Sequence, residues 1–292
     1  MQIIATNLNY TYSEKSKALA VKAIKDINLN INEGDFFGIV GHTGSGKSTF
    51  IQHLNGLIKL EKDHGSLVVG EFNLADKKCD YLSLRAKVGM VFQHPEYQLF
   101  AETVFDDIAF GVKNFYKNAK SEEIESLVRT AMEYVGLDFN KYKDKSPFAL
   151  SGGQKRRVAI AGVIAVKPEV LVLDEPVAGL DPQGKKEFLA LLHELKKNVV
   201  KTIVIVSHDM NIIAENCNRV AVFNDGKIYV QGTVKEVFAL GEELQEIGLD
   251  LPITARIALA LKHKGITVEN DFTVSGFASA VSSALFGKGG AK

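Results

Sequence analysis

Residues 41–48 read GHTGSGKS: a glycine, four residues, then Gly-Lys-Ser. Gly41, Gly44 and Gly46 let the backbone turn its N–H groups inward, and Lys47 adds a mobile cation beside the Ser48 hydroxyl. This combination suits the polyphosphate of a nucleotide. The amides cradle it, the lysine reaches the β- and γ-oxygens, and the hydroxyl ligates Mg²⁺. His42, Thr43, Ser45 and Thr49 complete the candidate nucleotide-binding set.

LVLDEP at 171–176 is the complement. A buried apolar strand ends there in two acids, at the strand edge where open α/β sheets bind ligands. Asp174 is expected to hold Mg²⁺ through water, and Glu175 to polarise the attacking water as general base. His208 ends TIVIVSH in the same way and can hold that water in line with the γ-phosphate. Gln93, in MVFQHPEYQLF, offers an amide oxygen to Mg²⁺ or to the water. Phosphoryl transfer asks mainly for such positioning and charge stabilisation. Tyr12, with Tyr10 as the second choice, can stack on the adenine.

LSGGQ at 150–154 resembles another helix start suited to an anion. Lys155, Arg156 and Arg157 follow at once and oppose the helix dipole unless an anion sits nearby. The sequence leaves two readings open for these cations: they add to the field around that anion, or they form a solvated helix face.

The positioning elements read as follows. Ile27, Leu29 and Ile31 alternate as in a half-buried strand, and FFGIV at 36–40 is a continuous apolar strand before the glycine loop and a helix. Further strands are expected at 67–69, 88–92, 170–173 and 202–206. Apolar strands separated by helices predict a parallel sheet covered on both faces. RVAVF and KIYVQG, joined through Asp225-Gly226, predict a hairpin. Between about 97 and 166 the pattern is helical: Ser121 is expected to cap a helix that Gly136 ends, and the helix after LSGGQ runs to near Pro168. Two more helices are expected at 253–265 and from Val274 to Leu285, with a mobile tail at 287–292.

The 292 residues carry 35 Lys+Arg against 35 Asp+Glu, so no basic field points to nucleic acid. Cys79 and Cys217 fit no metal spacing, which favours a reduced compartment. No stretch reaches the ~18 apolar residues of a membrane helix, and the first residues lack a signal-peptide pattern.

GHTGSGKS, Gln93, LSGGQ, LVLDEP, AGLD at 178–181 and His208, in that order, resemble the ATP-binding-cassette ATPases over roughly residues 3–232. IVGHTGSGKSTFIQHLNGLIK, MVFQHPEYQLFAETVFDDIAFG and LDLPITARIALALKHKG resemble more narrowly the second of the paired ATPases of energy-coupling factor transporters. The resemblance implies an α/β P-loop NTPase with a mostly parallel core sheet, an N-terminal antiparallel β subdomain, a helical subdomain at about 97–166 and a C-terminal helical extension. It implies an ATPase domain at 1–232 and a dimerising extension at 233–292. It also implies an ATP hydrolase on the cytoplasmic face of the membrane, with Mg²⁺ as cofactor, that powers uptake of a vitamin or metal ion.

The implied partners are a second, related ATPase (heterodimer favoured, homodimer open), a membrane coupling subunit and a substrate-binding membrane subunit. Ser151, Gly152, Gly153 and Gln154 are then expected on the γ-phosphate of the partner's ATP, and Asp181 at the dimer interface. Leu99, Phe100 and Val104 are expected to receive a helix of the coupling subunit. Val177 departs from the threonine usual after the family's Asp-Glu-Pro. The alternative is an ATPase subunit of another importer of the cassette family or a non-transport ATPase of that family. The interval 48–150 is too short for the coiled coil of a chromosome-maintenance ATPase, and a translation factor of the superfamily would carry two cassettes. Glu175 and His208 argue against a module that binds without hydrolysing.

Overall fold

The computed structural model describes residues 1–12, 20–61 and 63–286. The expected tail at 287–292 lies outside the described residues. In chain order they form β1 (Ile3–Tyr12), β2 (Val21–Ile31), β3 (Phe36–Gly41), α1 (Lys47–Leu54), β4 (Ser66–Val69), β5 (Phe72–Asn73), α2 (Tyr81–Lys87) and β6 (Val88–Val91). A single helical turn at Pro95–Gln98 leads to α3 (Val104–Phe115), α4 (Ser121–Tyr134), α5 (Phe139–Tyr142) and α6 (Gly152–Ile164). Next come β7 (Val170–Asp174), α7 (Pro182–Asn198), β8 (Thr202–Val206), α8 (Met210–Asn216), β9 (Arg219–Asn224) and β10 (Lys227–Thr233). The C-terminal extension is α9 (Val234–Phe238), α10 (Gly241–Glu246), α11 (Ile253–His263) and α12 (Val274–Phe286).

Two sheets result. An antiparallel one has the order β2-β1-β4-β5, and the main one runs β10-β9-β3-β8-β7-β6. The main sheet is parallel from β9 to β6, and β10 alone is antiparallel. Asp225 and Gly226, at φ 47° and 80°, make the tight turn between β9 and β10.

The continuous apolar strands are explained by what lies on each face. Leu171, Leu173, Ile203 and Ile205 point into one core, shared with α3, α4, α6, α8 and the extension. Val170, Val172, Val204 and Val206 point into the other, shared with Phe50, Ile51 and the antiparallel sheet. With both faces dry, both parities of these strands are apolar apart from Thr202 at the start of β8, whose hydroxyl accepts from the Gly34 N–H, and Asp174 at the end of β7.

α3, α4 and α6 bury Ile108, Val112, Val128, Met132, Val158 and Ile160 together. α4 differs from the sequence reading at its start. Lys120 is the N-cap and makes no side-chain cap, while Ser121 is the first helical residue. Its end is as expected, since Gly136 at φ 71° turns the chain and donates to the Glu133 carbonyl. α6 stops at Ile164 rather than near Pro168, and Lys167 takes a left-handed φ of 51° between them.

The extension is half core and half surface. Val237, Phe238, Leu244, Leu249 and Leu251 are buried in the first core. α12 buries only Phe277, leaving Val274, Leu285 and Phe286 exposed.

Candidate nucleotide-binding site

The strand order brings the chemistry to one edge. β3, β8, β7 and β6 are neighbours, and the loop at 41–48, His208, the Asp174–Glu175 pair and Gln93 follow their C-terminal ends respectively. A cleft of about 640 Å³ opens there. Its walls include Thr43, Gly44, Gly46, Lys47, Ser48 and Thr49, together with Gln93, Asp174, Glu175 and His208. Tyr12 closes one side, and Lys22 and Lys25 add positive charge at the rim.

Gly46 shows why the loop needs glycine. It sits at φ 99° as N-cap of α1, and a Cβ there would meet the Ala23 carbonyl oxygen at 2.5 Å. Lys47 is buried and its Nζ donates to the carbonyls of Gly41 and His42, both at 2.7 Å. Burial pulls its pKa below the ordinary lysine value, opposed by the charges of Glu175 and Asp174.

The acids differ in role by their surroundings. Burial raises the pKa of Asp174, while the Ser48 hydroxyl hydrogen bond and Lys47 oppose the rise. Burial also raises Glu175, opposed chiefly by His208. The His208 Nδ1 lies 2.9 Å from a Glu175 oxygen, so the ring donates there and presents its other nitrogen outward. Glu175 has a left-handed φ of 46°, an uncommon conformation for a side-chain-bearing residue, and its N–H donates to the Val206 carbonyl. That bond ties the acid to the strand that carries His208.

Ser48 and Asp174 supply one hydroxyl and one carboxylate oxygen beside Lys47, with the Gln93 amide on the same cleft. Hard oxygen donors in this number fit Mg²⁺, which keeps several waters and takes the rest of its shell from phosphates.

Tyr12 is exposed on the cleft, its hydroxyl 3.2 Å from the Thr49 hydroxyl. Tyr10 instead packs edge-on against Tyr12 and the buried His53, with both ring centroids at 4.9 Å. Gly41, His42 and Ser45 do not line the cleft among the described residues. The Gly41 and Ser45 residues are buried beneath the loop, and the His42 ring turns to the Ile247 carbonyl at 2.7 Å.

The LSGGQ segment lies outside this cleft. Ser151 is the N-cap of α6 and forms a reciprocal capping box with Gln154. Gln154 also donates to the Tyr142 hydroxyl, at 3.1 Å. Ser151, Gly152 and Gly153 are exposed, with open space where a Cβ would stand at either glycine. Asp181 is exposed as well and caps α7, accepting from the Gly184 N–H at 2.7 Å.

Two of the three cations after LSGGQ have partners inside the chain, which neither sequence reading foresaw. Arg156 is only 6% exposed. It pairs with Glu96 and donates to the carbonyls of Pro176 and Ala178. Arg157 donates to the Val135 carbonyl at 2.7 Å and reaches Glu187. Val177, between the two carbonyls that Arg156 holds, is buried in the first core, so an apolar side chain suits it. Leu99 and Val104 are buried rather than presented, because they anchor the start of α3 in that core. Of the three expected residues Phe100 alone is exposed, and Tyr97 and Phe110 are exposed beside it, with Phe100 and Phe110 packed edge to face at 4.9 Å. The sequence reading missed Glu96, Tyr97 and Phe110, and the internal partners of Arg156. An acid and an aromatic beside Gln93 were the available signal.

The ABC transporter family model matches residues 24–178. The chain is 49% identical over 276 residues to the energy-coupling factor transporter ATP-binding protein EcfA2 of Clostridium perfringens, covering 94% of this chain and 95% of the relative. It is 45% identical over 292 residues to the protein of that name from Symbiobacterium thermophilum, covering 100% and 99%. Among solved structures, cbiO1 from Clostridium perfringens, described as part of the ABC transporter complex cbiONQ, superposes with a TM-score of 0.71 at 38% identity, over 87% of this chain and 97% of that one. A dimeric, post-hydrolysis ATP-binding cassette, MJ0796 bound to ADP and Pi, gives 0.69 at 29% identity, over 80% and 98%. Fold, motif order and end-to-end similarity agree: the chain belongs to the energy-coupling factor transporter ATP-binding proteins, within the ABC transporter ATPase family.

Proposed function

We propose that this chain hydrolyses ATP as one of two paired ATPases on the cytoplasmic face of a membrane and powers uptake of a vitamin or metal ion through membrane subunits. The observation that carries the reading is the Glu175–His208 pair, joined at 2.9 Å across adjacent strands at the mouth of the cleft containing Lys47. A water held there loses its proton to Glu175 as its oxygen bonds the γ-phosphorus and the bond from that phosphorus to the β–γ bridging oxygen breaks, so that ADP and phosphate leave, while His208 fixes the carboxylate and faces the same phosphate. Gln93 steadies that water from the neighbouring strand end. Lys47 leaves the Gly41 and His42 carbonyls for the β- and γ-oxygens, and Tyr12 stacks on the adenine. Ser48, Gln93 and, through water, Asp174 would hold Mg²⁺, which would supply charge neutralisation on the phosphates.

The site is completed by a partner. Ser151, Gly152 and Gly153 stand exposed outside their own chain's cleft, which supports a shared site in which each LSGGQ closes the other chain's γ-phosphate. Asp181 lies exposed at the adjoining helix start and fits the same interface. A related second ATPase is favoured over a second copy, because the motifs of this chain resemble the second of two paired ATPases. The uncovered apolar residues of α12 support dimerisation through the extension. Tyr97, Phe100 and Phe110 suit an apolar helix of a membrane coupling subunit, which would in turn carry the substrate-binding subunit. No helix of the described residues is long and apolar enough to cross a membrane, so the spanning work falls to such partners.

The test is capture of the tagged chain from detergent-solubilised membranes, with ATPase measured on the chain alone and on the captured complex. Recovery of a second ATPase and small membrane proteins, with turnover far above that of the lone chain, is the expected result. Recovery of ribosomes or DNA, or full turnover by a strict monomer, overturns the reading.

A further inference from the structure

His42 occupies a phosphate-loop position yet its ring is turned away from the cleft. Its Nε2 lies 2.7 Å from the Ile247 carbonyl oxygen, at the end of α10 in the C-terminal extension. Gly248 packs directly on the ring. It has φ 79°, and a Cβ there would come within 3.3 Å of His42 Cε1 and Nε2. Five residues on, the Ile253 N–H donates to the Asn211 side-chain oxygen at 2.8 Å. Asn211 lies in the first turn of α8, directly after the segment that carries His208. Between these two tethers Leu249 and Leu251 are buried in the first core, so the segment cannot swing freely.

We propose that residues 247–253 of the extension sense the occupancy of the ATP site through His42 and Asn211, with His42 acting as a positioning residue rather than a phosphate ligand. The inference rests on the ATP-binding reading of the cleft. At the first tether, the Lys47 ammonium holds the His42 carbonyl at 2.7 Å while the His42 ring holds Ile247. A phosphate that draws the ammonium away removes the donor from that carbonyl, and the residue that grips the extension must readjust. At the second tether, Asp209 caps α8 through the Asn211 and Ile212 N–H groups and pairs with Lys185 of α7 at 3.1 Å. A shift of His208 toward a γ-phosphate therefore moves the helix start that holds Ile253. The extension, whose α12 is exposed, thus receives a signal from both halves of the site.

Hydrogen exchange of the full chain, in a Glu175→Gln background that retains ATP, tests this. Adding Mg-ATP is expected to change the exchange rates of the Gly248, Leu249 and Ile253 amides several-fold. His42→Ala should abolish the change at Gly248 and Leu249 while a fluorescent ATP analogue still binds, and His42→Gln, which keeps a donor, should restore it. Asn211→Ala, outside the cleft, should abolish the change at Ile253. If His42→Ala no longer holds nucleotide, His42→Gln and Asn211→Ala decide. A full-size response at Ile253 in Asn211→Ala, or a response at Gly248 and Leu249 in nucleotide-bound His42→Ala equal to that of the parent, overturns the proposal. So does a parent that binds ATP without any change at 247–253. A parent that binds no ATP removes the functional reading itself, and this inference with it.

Discussion

The guanidinium of Arg156 closes on the carboxylate of Glu96, its Nε 3.3 Å from one oxygen and a terminal nitrogen 3.4 Å from the other. Both side chains are largely buried, and the same guanidinium holds the carbonyls of Pro176 and Ala178. Three segments meet on one residue: the LSGGQ helix, the stretch after Gln93, and the loop between Glu175 and Asp181. Arg156→Ala should leave Glu96 buried without its partner and lower stability by about 3 kcal/mol. Arg156→Lys should recover only part of this, because a point charge cannot reproduce the planar fork. Burial by itself pushes the Glu96 pKa up, but its own backbone N–H, Arg156 and His94 outweigh it and hold the pKa below the usual value. The stabilisation from this pair is therefore present above the ordinary carboxylate range and lost as pH falls through the lowered value. Chemical denaturation of both variants across acid pH checks the magnitude and the sign.

Much of the fold and the cleft was legible because each half carries a local signal. A glycine loop after an apolar strand, and acids at the end of another, follow from backbone sterics and sheet burial. The parity of Leu171 and Val172, facing opposite cores, cannot be read from a run that is apolar throughout. Arg156 was hidden for a different reason. Adjacent cations look like a solvated face until the helix phase against a distant Glu96 is known. The His42 ring was hidden because its partner is a backbone carbonyl at Ile247, which any residue type supplies.

Glu175 and His208 separate by their effects on pH dependence. Burial raises the Glu175 pKa, so if Glu175 is the base, as proposed, hydrolysis should fall at a pH above that at which an ordinary glutamate is protonated. Glu175→Gln should retain ATP binding, lower kcat by about 10²–10⁴-fold and erase that acid limb. His208→Ala should keep the limb but move it to higher pH, because the charge and hydrogen bond opposing the rise are gone. Steady-state ATPase profiles of the reconstituted complex check both. A limb that stays in place in His208→Ala would dissociate the histidine from the base.

Gly46→Ala should disable the loop without touching any charged group. The new methyl carbon would meet the Ala23 carbonyl oxygen at 2.5 Å, and the φ of 99° is unfavourable for alanine. The loop must shift, carrying Lys47 and the amides at the start of α1 with it. The expected result is loss of measurable ATP binding together with a Tm lower by several degrees, read by calorimetry and by equilibrium binding of a fluorescent nucleotide.

Lys47→Ala should weaken ATP binding by at least about 100-fold, since charge-assisted bonds to two phosphates are worth roughly 1.5–3 kcal/mol each. The fold should survive, because the carbonyls of Gly41 and His42 lose one shared donor and no core packing. Wild-type affinity should also weaken at alkaline pH earlier than an exposed lysine would dictate. Burial lowers the Lys47 pKa, so the ammonium is lost as pH rises through that lowered value. Bound phosphates oppose this by favouring the charged form, so the alkaline fall should be visible in the association of ATP with the free site and smaller in the turnover of the complex already formed. Isothermal titration across neutral to alkaline pH, compared with kcat over the same range, distinguishes the two. Equal pH dependence in both quantities would place the titrating group somewhere other than Lys47.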